Sequence, residues 1–151
     1  MTDTPGARQP FTIRQAIKAP PERVFRAWTD PEQISRWFVP VEGWSAPIDL
    51  IGVDTTPGGS WRVSMVDETG EAYPAVFHYR EVTEPSRLVF TTGTPDQDPH
   101  DPDIATATVT FEARDGGTEM TYQGISQAPN QEEVAGWRAM FERLADQLAE
   151  G

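Results

Sequence analysis

The first forty residues change from one hydrophobic period to another, and this change predicts a strand followed by two short helices. Residues 11–17 alternate apolar and polar side chains, which is typical of a strand with one buried face. Within residues 19–38 the apolar positions fall at helical spacing in two groups. Asp30 is the expected N-cap of the second helix, with Pro31 at its first position and Gln33 as capping-box partner.

Period-two alternation returns near residue 61 and predicts an antiparallel meander. The predicted strands cover residues 61–65, 73–80, 87–92, 105–112 and 119–122. Helical spacing reappears near residue 131 and continues to about residue 149. The apolar stripe of this last helix consists of Val134, Trp137, Met140, Phe141, Leu144 and Leu148.

These elements predict an α+β fold in one domain over residues 1–151. A curved antiparallel sheet of about six to seven strands is expected to wrap around the long C-terminal helix. The two short helices follow the first strand. Residues 1–9 and 94–103 are polar and lack periodicity, so both segments are expected to be flexible.

A sheet that curls around one helix is expected to leave a space between them, and apolar spaces of this kind commonly bind small molecules. Taken one at a time, the tryptophans of this chain are expected to be core residues. Taken together, they favour an aromatic-lined cavity over a solid core. The polar groups of Gln15, Tyr79 and Tyr122 would either orient a ligand or satisfy each other. The predicted lining consists of Gln15, Trp28, Trp37, Trp61, Met65, Phe77, Tyr79, Glu81, Phe90, Tyr122, Trp137 and Met140.

The charge of the chain narrows the range of partners. It contains 12 Lys and Arg against 24 Asp and Glu, a formal net charge of −12. Nucleic acids and anionic membranes need a basic footprint, so neither is an expected partner. No cysteine is present, which excludes disulfides and thiolate chemistry. Neither a leader peptide nor a run of about 20 apolar residues is visible, which predicts a cytoplasmic protein. The expected oligomeric state is a monomer or a homodimer.

The two histidines give little indication of catalysis or metal binding. His78 falls on the outer face of its predicted strand, which favours a solvated side chain. His100 lies among aspartates in segment 94–103, but the spacing does not match a calcium-binding loop. We therefore predict no metal and no cofactor.

Glu81 is the carboxylate of most interest, because it follows Tyr79 in phase and is expected on the inner face. A buried carboxylate needs a partner or a raised pKa. Two interpretations remain open: an acid or base acting on a ligand, or a strand-end residue that reaches solvent or pairs with Arg87.

Several short segments resemble a known family when their order and spacing are taken together. They are residues 19–32, TrpPhe at 37–38, ProGlyGlySerTrp at 57–61, TyrArgGluVal at 79–82, ProSerArgLeuValPheThr at 85–91, GlyGlyThrGluMetThr at 116–121 and GlyTrp at 136–137. From about Phe11 to Leu148 the chain is similar to the activator of heat-shock-protein-90 ATPase homologues of the START-like SRPBCC superfamily.

This resemblance implies a helix-grip fold around a hydrophobic cavity. Phe77 stands where the family pattern has glycine, and an aromatic ring there would narrow or reshape the cavity. Members of the superfamily bind lipids, catalyse cyclisations or hydrolyses, or act as co-chaperones, so the fold alone does not select a function.

Three functions are therefore expected in order of preference. The first is non-catalytic binding of a small hydrophobic or amphipathic molecule between sheet and C-terminal helix. The second is a co-chaperone or stress-response interaction module with a chaperone as partner. The third is a cyclase- or hydrolase-type enzyme that uses Glu81 or a cavity tyrosine. Catalysis ranks last because the sequence contains no Ser-His-Asp order, metal-ligand cluster or dinucleotide motif.

Overall fold

The strands and helices follow one another largely as the sequence predicts. The computed structural model describes residues 8–39, 43–56, 58–101, 104–127 and 131–150. Its strands are β1 (Arg8–Ile17), β2 (Gly52–Val53), β3 (Ser60–Val66), β4 (Ala72–Thr83), β5 (Arg87–Thr92), β6 (Ala105–Arg114) and β7 (Gly117–Gln127). Its helices are α1 (Pro21–Thr29), α2 (Pro31–Trp37) and α3 (Gln131–Glu150). The short β2 and a 3-10 turn at Ile48–Leu50 were not predicted.

The strands form one antiparallel sheet in the order β1-β7-β6-β5-β4-β3-β2. Strands β2 to β7 are a meander, and β1 pairs with the last strand, from Arg8 opposite Gln127 to Ile17 opposite Thr118. The C-terminal helix α3 packs against β1 and α2. The predicted α+β class, with a curved antiparallel sheet, a long C-terminal helix and two short helices after the first strand, is confirmed.

Asp30 joins the two short helices. Its backbone N–H donates to the carbonyl oxygen of Arg26 at 2.9 Å, which ends α1, and its carboxylate accepts the N–H of Glu32 at 3.0 Å, which begins α2. The predicted N-cap is therefore confirmed. The carbonyl oxygen of Arg26 already accepts the Asp30 N–H, so the Gln33 side chain does not complete a capping box. Instead, the Gln33 amide donates to the Asp30 carboxylate at 3.4 Å.

The core is centred on Trp28, which is completely buried. Its ring contacts six other aromatic rings at centroid distances of 4.8 to 6.5 Å. Those rings belong to Trp37, Trp61, Phe90, Phe111, Tyr122 and Phe141. One of these rings belongs to α2, one belongs to α3, and each of the other four belongs to a different strand. The Trp28 side chain therefore connects the helix pair, the sheet and the C-terminal helix.

A β-bulge interrupts the pairing of β4 with β5. Tyr79 lies opposite Phe90, but Glu81 lies opposite Val89, so two steps along β4 match one step along β5. An extra residue reverses the alternation of faces beyond it. Val82, rather than Glu81, therefore lies opposite the buried Leu88 and packs against the core.

Two predictions fall partly outside the described residues. Of the segments predicted to be flexible, residues 1–7 and 102–103 are not described. Within residues 94–101, the backbone N–H of Thr94 donates to the Gln97 side chain at 2.9 Å, and the N–H of His100 donates to the Asp98 carboxylate at 2.9 Å. Flexibility of both segments and the single-domain organisation remain predictions.

Candidate functional site

Most of the predicted lining residues come together, but as a packed core. Nine are buried in one cluster: Trp28, Trp37, Trp61, Phe77, Tyr79, Phe90, Tyr122, Trp137 and Met140. Between sheet and α3, the rings of Tyr122 and Trp137 lie 4.7 Å apart and those of Trp28 and Phe141 lie 5.8 Å apart. Interlocking rings occupy this part of the predicted space, so an open cavity there is not confirmed.

Two other predicted residues are only partly buried. Met65 packs at the edge of the core, opposite Tyr73 on β4. Gln15 lies opposite the buried Met120, and its amide donates to the carbonyl oxygen of Ala16 at 3.3 Å. The Gln15 amide is thus bonded within its own strand.

Glu81 is exposed, and its predicted place on the inner face is wrong. The β4 bulge turns it outward. Its carboxylate lies 3.6 Å from the guanidinium of Arg87 and accepts the Thr83 hydroxyl at 2.8 Å. The alternative interpretation, a strand-end residue paired with Arg87, is confirmed.

The buried tryptophans differ in whether their indole N–H groups find an acceptor. Trp37 donates to the carbonyl oxygen of Ala27 at 2.8 Å, and Trp28 donates to the sulfur of Met120 at 3.3 Å. Both indoles are thereby satisfied by the protein itself. Their environment is that of structural core residues.

Two buried donors have no such partner among the described residues. The indole N–H of Trp61 and the hydroxyl of Tyr79 are buried, and neither donates to a group in the part of the chain that the structure describes. Phe90 contacts both rings, at centroid distances of 5.9 and 6.4 Å, and Phe77 stacks on Trp61 at 4.1 Å. We call Trp61, Phe77, Tyr79 and Phe90 the donor cluster. It combines apolar ring surface with two unsatisfied hydrogen-bond donors.

Burial also keeps Tyr79 protonated. It raises the pKa of the Tyr79 hydroxyl well above its usual value, because the phenolate would lose its hydration in this apolar environment. At neutral pH the Tyr79 hydroxyl therefore keeps its proton and can donate a hydrogen bond to an acceptor.

A surface groove with a volume of about 280 Å³ borders Tyr79. It is lined by Thr55, Thr56, Gly58 and residues 79–82, so Tyr79 is shared by the groove and the donor cluster. A Cβ at Gly59 would overlap the carbonyl oxygen of Asp54, so the turn beside the groove requires glycine there. The glycine turn can be recognised in the sequence. The sequence does not show that Thr55 and Thr56 line a groove with β4, because that depends on how the turn and β4 lie relative to each other.

The candidate metal ligands remain apart in the described residues. His78 is half-buried on β4 and His100 is exposed. Within these ranges no three His, Asp or Glu side chains are placed to hold a metal ion, and Asp103 of the acidic segment is not described. Among the described helices, none has the length and apolar character needed to cross a membrane.

Known structures share this architecture over nearly the whole chain. A protein of Rhizobium leguminosarum is 26% identical, with a TM-score of 0.77 and coverage of 96% of this chain and 97% of that one. A protein of Nitrosomonas europaea is 26% identical, with a TM-score of 0.77 and coverage of 93% and 94%. An AHSA1-like protein of Aeromonas hydrophila has a TM-score of 0.79, with coverage of 94% and 93%; at 22% identity it shows likeness of fold alone.

One protein-family model matches residues 18–150, and its description is "Activator of Hsp90 ATPase homolog 1-like protein". No curated protein matches the sequence.

Proposed function

The chain belongs to the family of activator of Hsp90 ATPase homolog 1-like proteins, and from this premise we propose that it binds a small, mostly apolar molecule carrying a hydrogen-bond acceptor. The supporting observation is the pair of unsatisfied buried donors, Trp61 Nε1 and the Tyr79 hydroxyl. Leaving a buried donor unpaired costs about 1–3 kcal/mol. A ligand that accepts from one or both donors would recover part of this cost.

The donors also limit the ligand's chemistry. An indole N–H can only donate, and the neutral Tyr79 hydroxyl is available as a second donor. The groove is lined by one cation and one anion, Arg80 and Glu81, so it supplies no net charge to balance a carboxylate. Arg80 also donates to the carbonyl oxygen of Pro99 at 3.4 Å. A ketone, ester or similar neutral acceptor on an apolar body therefore fits better than a fatty acid.

In this proposal the ligand enters through the groove that borders Tyr79. The groove volume of about 280 Å³ is near the lower end of the range for small-molecule sites. Because the Tyr79 hydroxyl is buried, the turn around Thr55, Thr56 and Gly58 would move outward when a ligand enters. Gly58 has a φ of +83°, which suits glycine and disfavours most other residues.

A pair of matched probes tests this proposal. Benzophenone and diphenylmethane differ in the carbonyl acceptor, and titrations followed by tryptophan fluorescence would give their affinities. We expect benzophenone to bind roughly fivefold more tightly, the equivalent of one hydrogen bond of about 1 kcal/mol. Tyr79→Phe should reduce this preference, because it leaves Trp61 Nε1 as the remaining donor of the pair. The control Tyr73→Phe, which removes an exposed tyrosine hydroxyl, should keep it.

Three results would contradict the proposal. The first is equal affinity for the two probes in the unmodified protein. The second is that neither probe binds and that native mass spectrometry of protein purified from cells shows only the mass of the chain, with no bound molecule. The third is a crystal structure in which ordered water satisfies Trp61 and Tyr79, because the donors would then need no ligand.

A second candidate function, docking to an Hsp90-class chaperone, is favoured by exposed apolar side chains beside β3. Ile48, Leu50 and Tyr73 are 45%, 47% and 42% exposed. The ring of Trp44 stacks on Tyr73, with centroids 5.1 Å apart. Exposed apolar side chains on the surface can mark protein-interaction sites.

The chaperone hypothesis is tested with the Hsp90-class protein from the same cell. Co-purification and ATPase rate are measured with the unmodified chain and with Ile48→Ser/Leu50→Ser. The double variant should lose the effect. The control Ile125→Ser, which changes an isoleucine that is 37% exposed elsewhere on the sheet, should retain it. An unchanged ATPase rate and no co-purification would rule out this function.

A further inference from the structure

A second groove, formed by other elements than the donor cluster, lies between the helix pair and the end of α3. Its volume is about 420 Å³. Arg23 and Arg26 of α1 line it together with Arg36 of α2, and Gln147 and Leu148 of α3 form the opposite wall. We call this the arginine groove.

Within the part of the chain that the structure describes, Arg23, Arg26 and Arg36 have no carboxylate partner. The ion pairs among the described residues are Arg87 with Glu81 and Arg114 with Glu119. The arginine groove therefore presents three guanidinium groups that pair with none of the described carboxylates.

Two acidic residues also line the groove, but one has other hydrogen-bond partners. Asp30 accepts hydrogen bonds from Glu32 and Gln33 as the cap of α2. Glu32 is the second acid of the lining. Among the described lining residues, three arginines against two acids give a net positive charge, in a chain whose net charge is −12.

Helix stabilisation explains only part of this arrangement. Arg26 and Arg36 lie in the last turns of α1 and α2, where a cation interacts favourably with the helix dipole. Arg23 is the third residue of α1, where the same dipole disfavours a cation. A ligand anion would account for a positive side chain at this position.

We infer that the arginine groove binds a small oxyanion with two or more negative charges. Guanidinium groups donate paired hydrogen bonds to carboxylate and phosphate oxygens, and such charge-assisted bonds are stronger than neutral ones. The groove volume suits a small molecule. A large acidic partner would in addition be repelled by the net charge of −12, whereas a small anion responds chiefly to its immediate surroundings.

Calorimetric titrations with pyrophosphate and citrate test the inference and separate phosphate from carboxylate ligands. Ionic strength is held constant with sodium chloride. We expect saturable binding of at least one probe, weakened roughly tenfold or more in Arg26→Gln/Arg36→Gln, because the variant loses two guanidinium groups that donate charge-assisted hydrogen bonds. The control Arg62→Gln, an exposed arginine on β3, should leave binding unchanged.

Several outcomes would overturn the inference. They are no saturable binding of either probe, equal binding by the double variant, and tighter binding of poly-glutamate than of both small anions. Thermal unfolding of each variant without ligand shows whether it is folded; if the double variant is not, Arg36→Gln alone replaces it. Tyr79→Phe should bind these anions normally, so the result is independent of the proposed apolar ligand.

Discussion

At the scale of single residues, Asp67 shows how local hydrogen bonds set the charge of a side chain. Its carboxylate accepts the Thr69 hydroxyl at 2.6 Å, the N–H groups of Thr69 and Glu71 at 2.9 and 3.0 Å, and the Tyr73 hydroxyl at 2.9 Å. These bonds, led by that of the Thr69 hydroxyl, lower the pKa of Asp67 to about 2. The ionised carboxylate therefore orders the turn between β3 and β4.

Because the pKa of Asp67 is lower in the folded than in the unfolded chain, its contribution to stability is complete above about pH 4 and is lost as the pH falls towards 2. Urea unfolding of Asp67→Asn and the unmodified protein should differ at pH 6 and converge at low pH. The control Glu68→Gln, which changes an exposed acid in the same turn, should show no such convergence. A constant Asp67→Asn difference down to pH 2.5 would contradict this role.

The unpartnered Tyr79 hydroxyl gives a second prediction at this scale. Tyr79→Phe removes a buried donor without breaking a protein hydrogen bond. The free energy of unfolding, measured in urea without ligand, should stay within about 1 kcal/mol of the original or rise. A loss of about 2 kcal/mol or more would show that the hydroxyl is already satisfied.

At the scale of elements, hydrophobic period predicted nearly every strand and helix, because the period is a property of neighbouring residues. It did not predict the bulge at residues 79–81. The bulge depends on how β4 pairs with β5, and the alternation of side chains within β4 alone does not contain that pairing. Thus Glu81 was assigned to the wrong face although its strand was identified correctly.

The junction of the two short helices gives a testable element-scale effect. Asp30→Ala removes the carboxylate that accepts the Glu32 N–H, and it should lower the free energy of unfolding by about 1 kcal/mol. Asp30→Asn keeps an oxygen acceptor and should cost less. Chemical denaturation of both variants measures the difference, and equal losses would show that the cap hydrogen bond is not the cause.

At the scale of the whole molecule, the aromatic core joins elements that are distant in the chain. Trp28 contacts Trp37 in α2, Phe90 in β5 and Phe141 in α3. The sequence placed all four residues on apolar faces. Whether they would enclose a cavity or pack together depended on how closely the sheet and helices approach, and in this region they pack together.

Trp28→Ala should therefore destabilise all of the elements together. We expect a loss of about 3–5 kcal/mol in urea unfolding, typical of a large aromatic residue removed from a core. Trp28→Phe should lose less and serves if the alanine variant does not fold. The control Trp44→Ala alters a half-buried ring outside this core, and a loss as large as that of Trp28→Ala would contradict the central role of Trp28.

The sequence by itself determined the order of elements, their apolar faces, the α+β class and the family, since these follow from local periodicity and short motifs. Only the tertiary structure decided which buried donors lack acceptors, which face Glu81 occupies, and that Arg23, Arg26 and Arg36 line one groove. The physical reason is the same in each case. A hydrogen bond, a strand register or a charged groove depends on distances between segments that the chain brings together only on folding.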